Sequence, residues 1–144
     1  MSTPASIWKH PIHPMLVAFP LGLWIFSLAA HIFHLAGGSD AWSTTATYSM
    51  GGGLVGAAAA AIPGLIDLLA IQPGRAKTTA IWHAVVNLTV LTIITIAFFL
   101  RLSGTEDLWA LVLTAAGVAL LLVGGWLGGH LVYVYGVGVE REHK

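Results

Sequence analysis

Residues 78–100 read TTAIWHAVVNLTVLTIITIAFFL, with no Asp, Glu, Lys or Arg between Lys77 and Arg101. A helix rising about 1.5 Å per residue crosses a bilayer core of ~30 Å in about 20 apolar residues, and this stretch is long enough. Its Val, Ile and Thr content would also suit a strand. A lone strand in lipid leaves its backbone groups without partners, so the segment reads as a spanning helix. His83 then lies about 8 Å inside the span. His83 and Asn87 are four apart and share one helix face. A polar group at that depth is costly and marks a functional-site hypothesis by default.

Three further runs of the same kind fill the chain. The expected spans are about 14–35, 44–71, 78–100 and 108–135. Pro14 suits the first turn of a helix, and Pro20 bends it slightly further on. Gly37, Gly38, Ser39 and Asp40 form the first exit loop, and Gln72-Pro73-Gly74 closes the second span. Pro63 predicts a kink one turn before Asp67. The chain is 57% hydrophobic and 8% charged, against roughly 25% charged in soluble domains. The expectation is an all-α, polytopic membrane four-helix bundle over residues 1–144, up-down-up-down, as one domain. No internal repeat is visible in the sequence.

The absence of cysteine excludes disulfides, thiolate metal sites, iron–sulfur clusters and covalent c-type haem attachment. No basic patch suggests nucleic acid. Residues Met1 to His13 lack the pattern of a cleaved signal peptide, so the first span reads as its own insertion signal. Lys9, Arg75, Lys77, Arg141 and Lys144 fall on one side of the spans and Arg101 on the other, beside Glu106 and Asp107. Both termini are therefore expected in the cytoplasm, which in a bacterium would make the chain integral to the inner membrane. Trp8, Trp82, Tyr133 and Tyr135 fit an aromatic belt on that side, and Trp42 and Trp109 fit one on the other.

Alternating spans bring His13, Asp67, His83 and His130 to a similar depth near the cytoplasmic face. His10-Pro11-Ile12-His13-Pro14 is the most unusual local string. Its prolines extend the backbone and then start a helix, which fixes where His13 points. The same residue also serves as a simple interfacial cap. His130 follows Gly128-Gly129 and has an equally plain reading, snorkelling toward headgroups. Asp67 is the one acid inside a span, and a carboxylate there needs a partner such as a histidine or a metal. His31 and His34 lie near the outer end of span 1, with Met50 the nearest soft partner, and read first as an interfacial pair and second as a further metal or haem site. Gly51, Gly52, Gly53 and Gly56 on span 2, and Gly117, Gly124, Gly125, Gly128 and Gly129 on span 4, are close-packing surfaces. Such surfaces also suit homo-oligomer contacts or a flat prosthetic group.

Several of these strings resemble one family. They are His10-Pro11-Ile12-His13-Pro14 leading into Leu16-Val17 and Pro20, then Gly64-Leu65-Ile66-Asp67, then Trp82-His83 with Asn87, then Gly128-Gly129-His130-Leu131-Val132-Tyr133. Together, from about Ile7 to Val139, they resemble the bacterial membrane proteins grouped as domain of unknown function family 2231. The resemblance implies redox company, since related domains are joined to Rieske-type or cytochrome c modules. It also implies that the His130 position is often a glutamate, which suits a hard metal better than a haem.

Three functions compete. A b-type membrane cytochrome would bind haem b through His13 and His83, diagonal partners in an up-down bundle, with His130 as alternate ligand. Asn87, Arg75 and Lys77 would support it, the two cations at the propionates, and a quinone or redox protein would be its partner. A metal site would use His10, His13, Asp67, His83 and His130 to hold zinc, iron or manganese, and three ligands plus water would make a metal-dependent hydrolase. An assembly or anchoring subunit would use the same residues as an internal hydrogen-bond network. The residues alone favour haem and metal equally, and the redox company implied by the resemblance puts haem first.

Overall fold

The computed structural model describes residues 3–104 and 107–139. Arg141, Lys144 and Glu106, on which part of the charge reading rests, lie outside the described residues. A ribbon of two short antiparallel strands, β1 (Ser6–Ile7) and β2 (His10–Pro11), opens the structure. The helices are α1 (Ile12–Leu16), α2 (Ala18–Leu35), α3 (Asp40–Ala70), α4 (Arg75–Ser103) and α5 (Asp107–Tyr133). With α1 and α2 taken together, four segments are long and apolar enough to cross a membrane: Ile12–Leu35, Asp40–Ala70, Arg75–Ser103 and Leu108–Tyr133. They match the expected spans within a few residues at most ends. The ribbon was not expected. Its turn places Trp8 and Lys9 at φ 46° and 68°, a left-handed pair that nothing in those two residue types signals.

α2 packs on α3, α4 on α5, α3 on α4 and α2 on α5. In the α2–α3 and α4–α5 contacts the residue numbers fall in one helix as they rise in the other. Ser27 Oγ donates to Ala46 O at 2.7 Å, Trp24 Nε1 donates to Met50 O at 3.2 Å, and Phe19 and Pro20 lie against Gly56. Likewise Ile94 lies against Gly117 and Asn87 against Gly124. The core is a cluster of Trp24, Met50, Val90, Ile94, Ala97 and Leu121. Helices in lipid gain little from excluding water, so close packing at small residues carries much of the association. Gly53 shows this: a Cβ there would overlap the Trp24 indole.

α3 runs unbroken through Pro63, so the expected disturbance stays within a continuous helix. Proline supplies no N–H, which leaves the carbonyl of Ala59 without its intrahelical donor. Two cations fix helix ends. Lys77 Nζ donates to Leu68 O, a charged cap on the last turn of α3. Arg101 is buried and reaches α3, with Nε donating to Thr47 Oγ1 at 3.2 Å and Nη2 to Ser43 O and Oγ at 3.0 and 2.9 Å. Lys77 is therefore committed to the α3 terminus, while Arg75 is exposed.

Candidate functional site

His13 enters α1 directly from β2, carried by Pro11 and Pro14 on either side. Its Nδ1 lies 2.8 Å from Ala60 O on α3. A carbonyl only accepts, so Nδ1 carries a proton, and in the neutral ring Nε2 is the nitrogen with a lone pair. The ring lies against Gly64, one helical turn beyond Ala60. A Cβ at Gly64 would sit 2.7 Å from Nδ1 and 2.9 Å from Cε1.

His83 on α4 makes the same arrangement with α5. Its Nδ1 lies 2.9 Å from Gly124 O. Its ring lies against Gly128, where a Cβ would sit 3.1 Å from Cε1. In the neutral ring Nε2 is again the nitrogen with a lone pair. Asn87 braces the residue from the next turn, with Nδ2 donating to His83 O at 2.7 Å. The same amide nitrogen is 3.4 Å from Nδ1 and 3.3 Å from Nε2. Near-equal distances to both ring nitrogens put it over the ring face rather than at the end of a lone pair.

The two rings meet. Their centroids are 6.1 Å apart and their planes stand at 89°. Both residues are half-buried. Two of the expected site residues, from helices distant in sequence, are thus brought together with their Nδ1 atoms tied to backbone.

The remaining candidates make other contacts. Asp67 is buried, and its Oδ1 accepts the N–H of Ala5 at 3.0 Å, which latches the N-terminal ribbon onto α3. His130 stacks on Trp126 with centroids 5.4 Å apart and meets the edge of Tyr135 at 5.1 Å. His10 is exposed, and its Nδ1 pairs with Trp8 O at 2.8 Å. Among the described residues no group of three or more His, Cys, Asp or Glu side chains is arranged to hold a metal ion. The five-residue set His10, His13, Asp67, His83 and His130 is therefore not assembled as one centre. The physical reason is local: Asp67 finds a backbone donor and His130 finds aromatic neighbours on its own helix and just beyond it. His31 is fully buried within α2 and His34 is half-buried near its end.

Sequence reasoning missed the backbone acceptors, Ala60 and Gly124, and the ring supports, Gly64 and Gly128. The signal available was a glycine one turn after each acceptor. The model of one family, described as predicted membrane protein (DUF2231), matches residues 9–141. The chain belongs to the DUF2231 family. The match takes in all four spans and both histidines of the pair. No curated protein and no solved structure matches the chain. DUF2231 membership establishes a membrane protein and names no reaction.

Proposed function

We propose that this DUF2231 protein is a small b-type haem protein of the bacterial cytoplasmic membrane, in which His13 and His83 would hold the haem iron. The observation that carries the reading is the imidazole pair, 6.1 Å between centroids, each Nδ1 bound to a carbonyl. Two imidazoles whose rings lie this close would be able to hold one metal centre together. The donor chemistry fits as well. Neutral imidazole whose other nitrogen donates to a backbone oxygen is the usual form of a ligating histidine.

Haem iron held by His13 and His83 would supply one-electron chemistry at a potential set by its ligands and their burial. The chain's own part is orientation and enclosure. Ala60 O and Gly124 O fix the tautomers, Asn87 limits rotation of His83, and apolar helices around the pair restrict water. Arg75, exposed near that end, suits propionate carboxylates, and the positive-inside rule favours the cytoplasmic side for it. A quinol or a soluble redox protein would exchange electrons with it.

The test is an absorption spectrum of detergent-purified protein, oxidised and then dithionite-reduced, with metal analysis of the same sample. A Soret band that shifts and sharpens on reduction, and is lost in His13→Ala and in His83→Ala, is the expected result. Stoichiometric zinc, iron or manganese without a Soret band would replace haem with a simple ion. Neither signal, in protein reconstituted with haem during purification, would leave an assembly or anchoring subunit.

A further inference from the structure

The two histidines occupy the same place in two copies of one structural unit. Seventy residues separate His13 from His83, and seventy separate Trp24 from Ile94. On the partner helices sixty-four residues separate Gly53 from Gly117, Ala60 from Gly124 and Gly64 from Gly128. Within each unit the contacts correspond. His13 bonds to Ala60 O and rests on Gly64, and Trp24 rests on Gly53. His83 bonds to Gly124 O and rests on Gly128, and Ile94 rests on Gly117. Burial follows the same offsets: Pro20 with Val90, Ser27 with Ala97, Ala46 with Ala110 and Met50 with Thr114 are buried in pairs. Helix faces recur every three to four residues, so matched burial alone would be weak. An imidazole on a carbonyl with a glycine one turn later is not a generic helix contact, and it occurs twice at constant offsets. The packing between units is reciprocal too, α3 on α4 and α2 on α5.

We infer that the site is built from two equivalent half-sites, one per helical hairpin, in which Gly64 and Gly128 are positioning residues. Each glycine lets an imidazole lie flush against the neighbouring helix. That contact holds Nδ1–H on the carbonyl and leaves Nε2 as the donor atom. The occupant is accordingly a centre that takes two equivalent neutral nitrogen donors, as haem iron does, rather than an ion needing a mixed carboxylate and imidazole set. Asp67 has no counterpart in the second unit, where Leu131 stands sixty-four residues on, which agrees with its role as a latch outside the pair. The inference rests on the reading of His13 and His83 as paired ligands, but its test does not need a ligand.

The experiment is nitrogen NMR of the full chain, labelled with 15N-histidine and reconstituted without haem in lipid nanodiscs. His13→Asn and His83→Asn assign the two residues by loss of signal. Both are expected as the Nδ1–H tautomer with a bare Nε2. Gly64→Ala should shift the ring signals of His13 and leave His83 near its original values, and Gly128→Ala should do the converse. With haem added, each alanine variant should bind about 10- to 100-fold more weakly, the usual effect of disturbing a ligand's supporting group. The tautomers need only the two assignment variants, so a misfolded Gly64→Ala or Gly128→Ala does not blunt that part of the test. Nε2–H in either histidine, or unchanged ring signals in folded Gly64→Ala and Gly128→Ala, overturns the inference. The expected tautomers in a protein that takes up no haem would retain the two half-sites and remove the haem reading instead.

Discussion

The two helical hairpins share a register but not a chemistry. In the first, α2 is tied to α3 by cross-helix hydrogen bonds: Trp24 to Met50 O and Ser27 to Ala46 O. In the second, the equivalent positions are Ile94 and Ala97, which interlock with α5 as apolar groups. A bulky indole in the groove at Gly53 and a branched aliphatic chain in the groove at Gly117 solve one problem of space in two ways. The lesson is that the shape of the interface is retained while its bonding is interchangeable. Only the imidazole contact keeps both shape and bonding in the two halves.

The hardest blow to this comparison falls on the element the halves have in common. His13→Ala and His83→Ala should each abolish haem binding, read as loss of the reduced-minus-oxidised spectrum. If one of them leaves that spectrum intact, the halves are not equal partners. The grooves come next. Gly53→Ala forces a Cβ into the rigid indole of Trp24, whereas Gly117→Ala meets the flexible tip of Ile94. Overpacking of this kind costs about 1–3 kcal/mol, and Gly53→Ala should lie at the upper end and Gly117→Ala at or below the lower. Thermal melts in detergent would rank them, and a reversed order would mean that α2 yields more easily than its hydrogen bonds imply.

A local effect follows at Asp67, where the halves differ outright. Asp67→Leu, the residue type of the second hairpin, leaves the buried Ala5 N–H without an acceptor, a loss of about 1–3 kcal/mol. It should appear as faster hydrogen exchange confined to the N-terminal ribbon, with Asp67→Asn close to wild type. Uniform exchange across α3 would show that Asp67 supports the bundle rather than the ribbon. The smallest change expected is Ser27→Ala, the residue type of the second hairpin, which nearly keeps the side-chain volume and removes the O–H donor to Ala46 O. Hydrogen bonds between membrane helices average about 0.6 kcal/mol, and a much larger loss of thermal stability would make the bonding, not the shape, the feature that matters.

Much of the fold was legible because lipid imposes length and apolarity on every span. The run from Thr78 to Leu100 could be read without any tertiary information. The convergence of His13 and His83 was legible as well, from depth and from their place on the first and third spans. The duplication was not visible, because equivalent positions share the space available rather than the residue: Trp24 answers to Ile94 and Ala60 to Gly124. The partner of Asp67 was invisible for another reason. Its donor is a backbone N–H sixty-two residues earlier, in a ribbon whose turn carries Trp8 and Lys9 instead of the Asn-Gly that announces such turns. The stacking of His130 on Trp126, four residues apart on one helix, was there to be read and places His130 among aromatic neighbours rather than at the pair.

Both imidazoles take their orientation from a peptide oxygen, and that choice has a genetic consequence. No codon change at residue 60 or 124 deletes the acceptor, since every amino acid supplies the same carbonyl. What mutation can reach is the space beside it, at Gly64 and Gly128, where even one methyl group intrudes on a ring. Among variants that keep the site, drift should therefore be filtered by side-chain volume at those two codons, while the atoms that set the tautomers pass unchanged through any substitution.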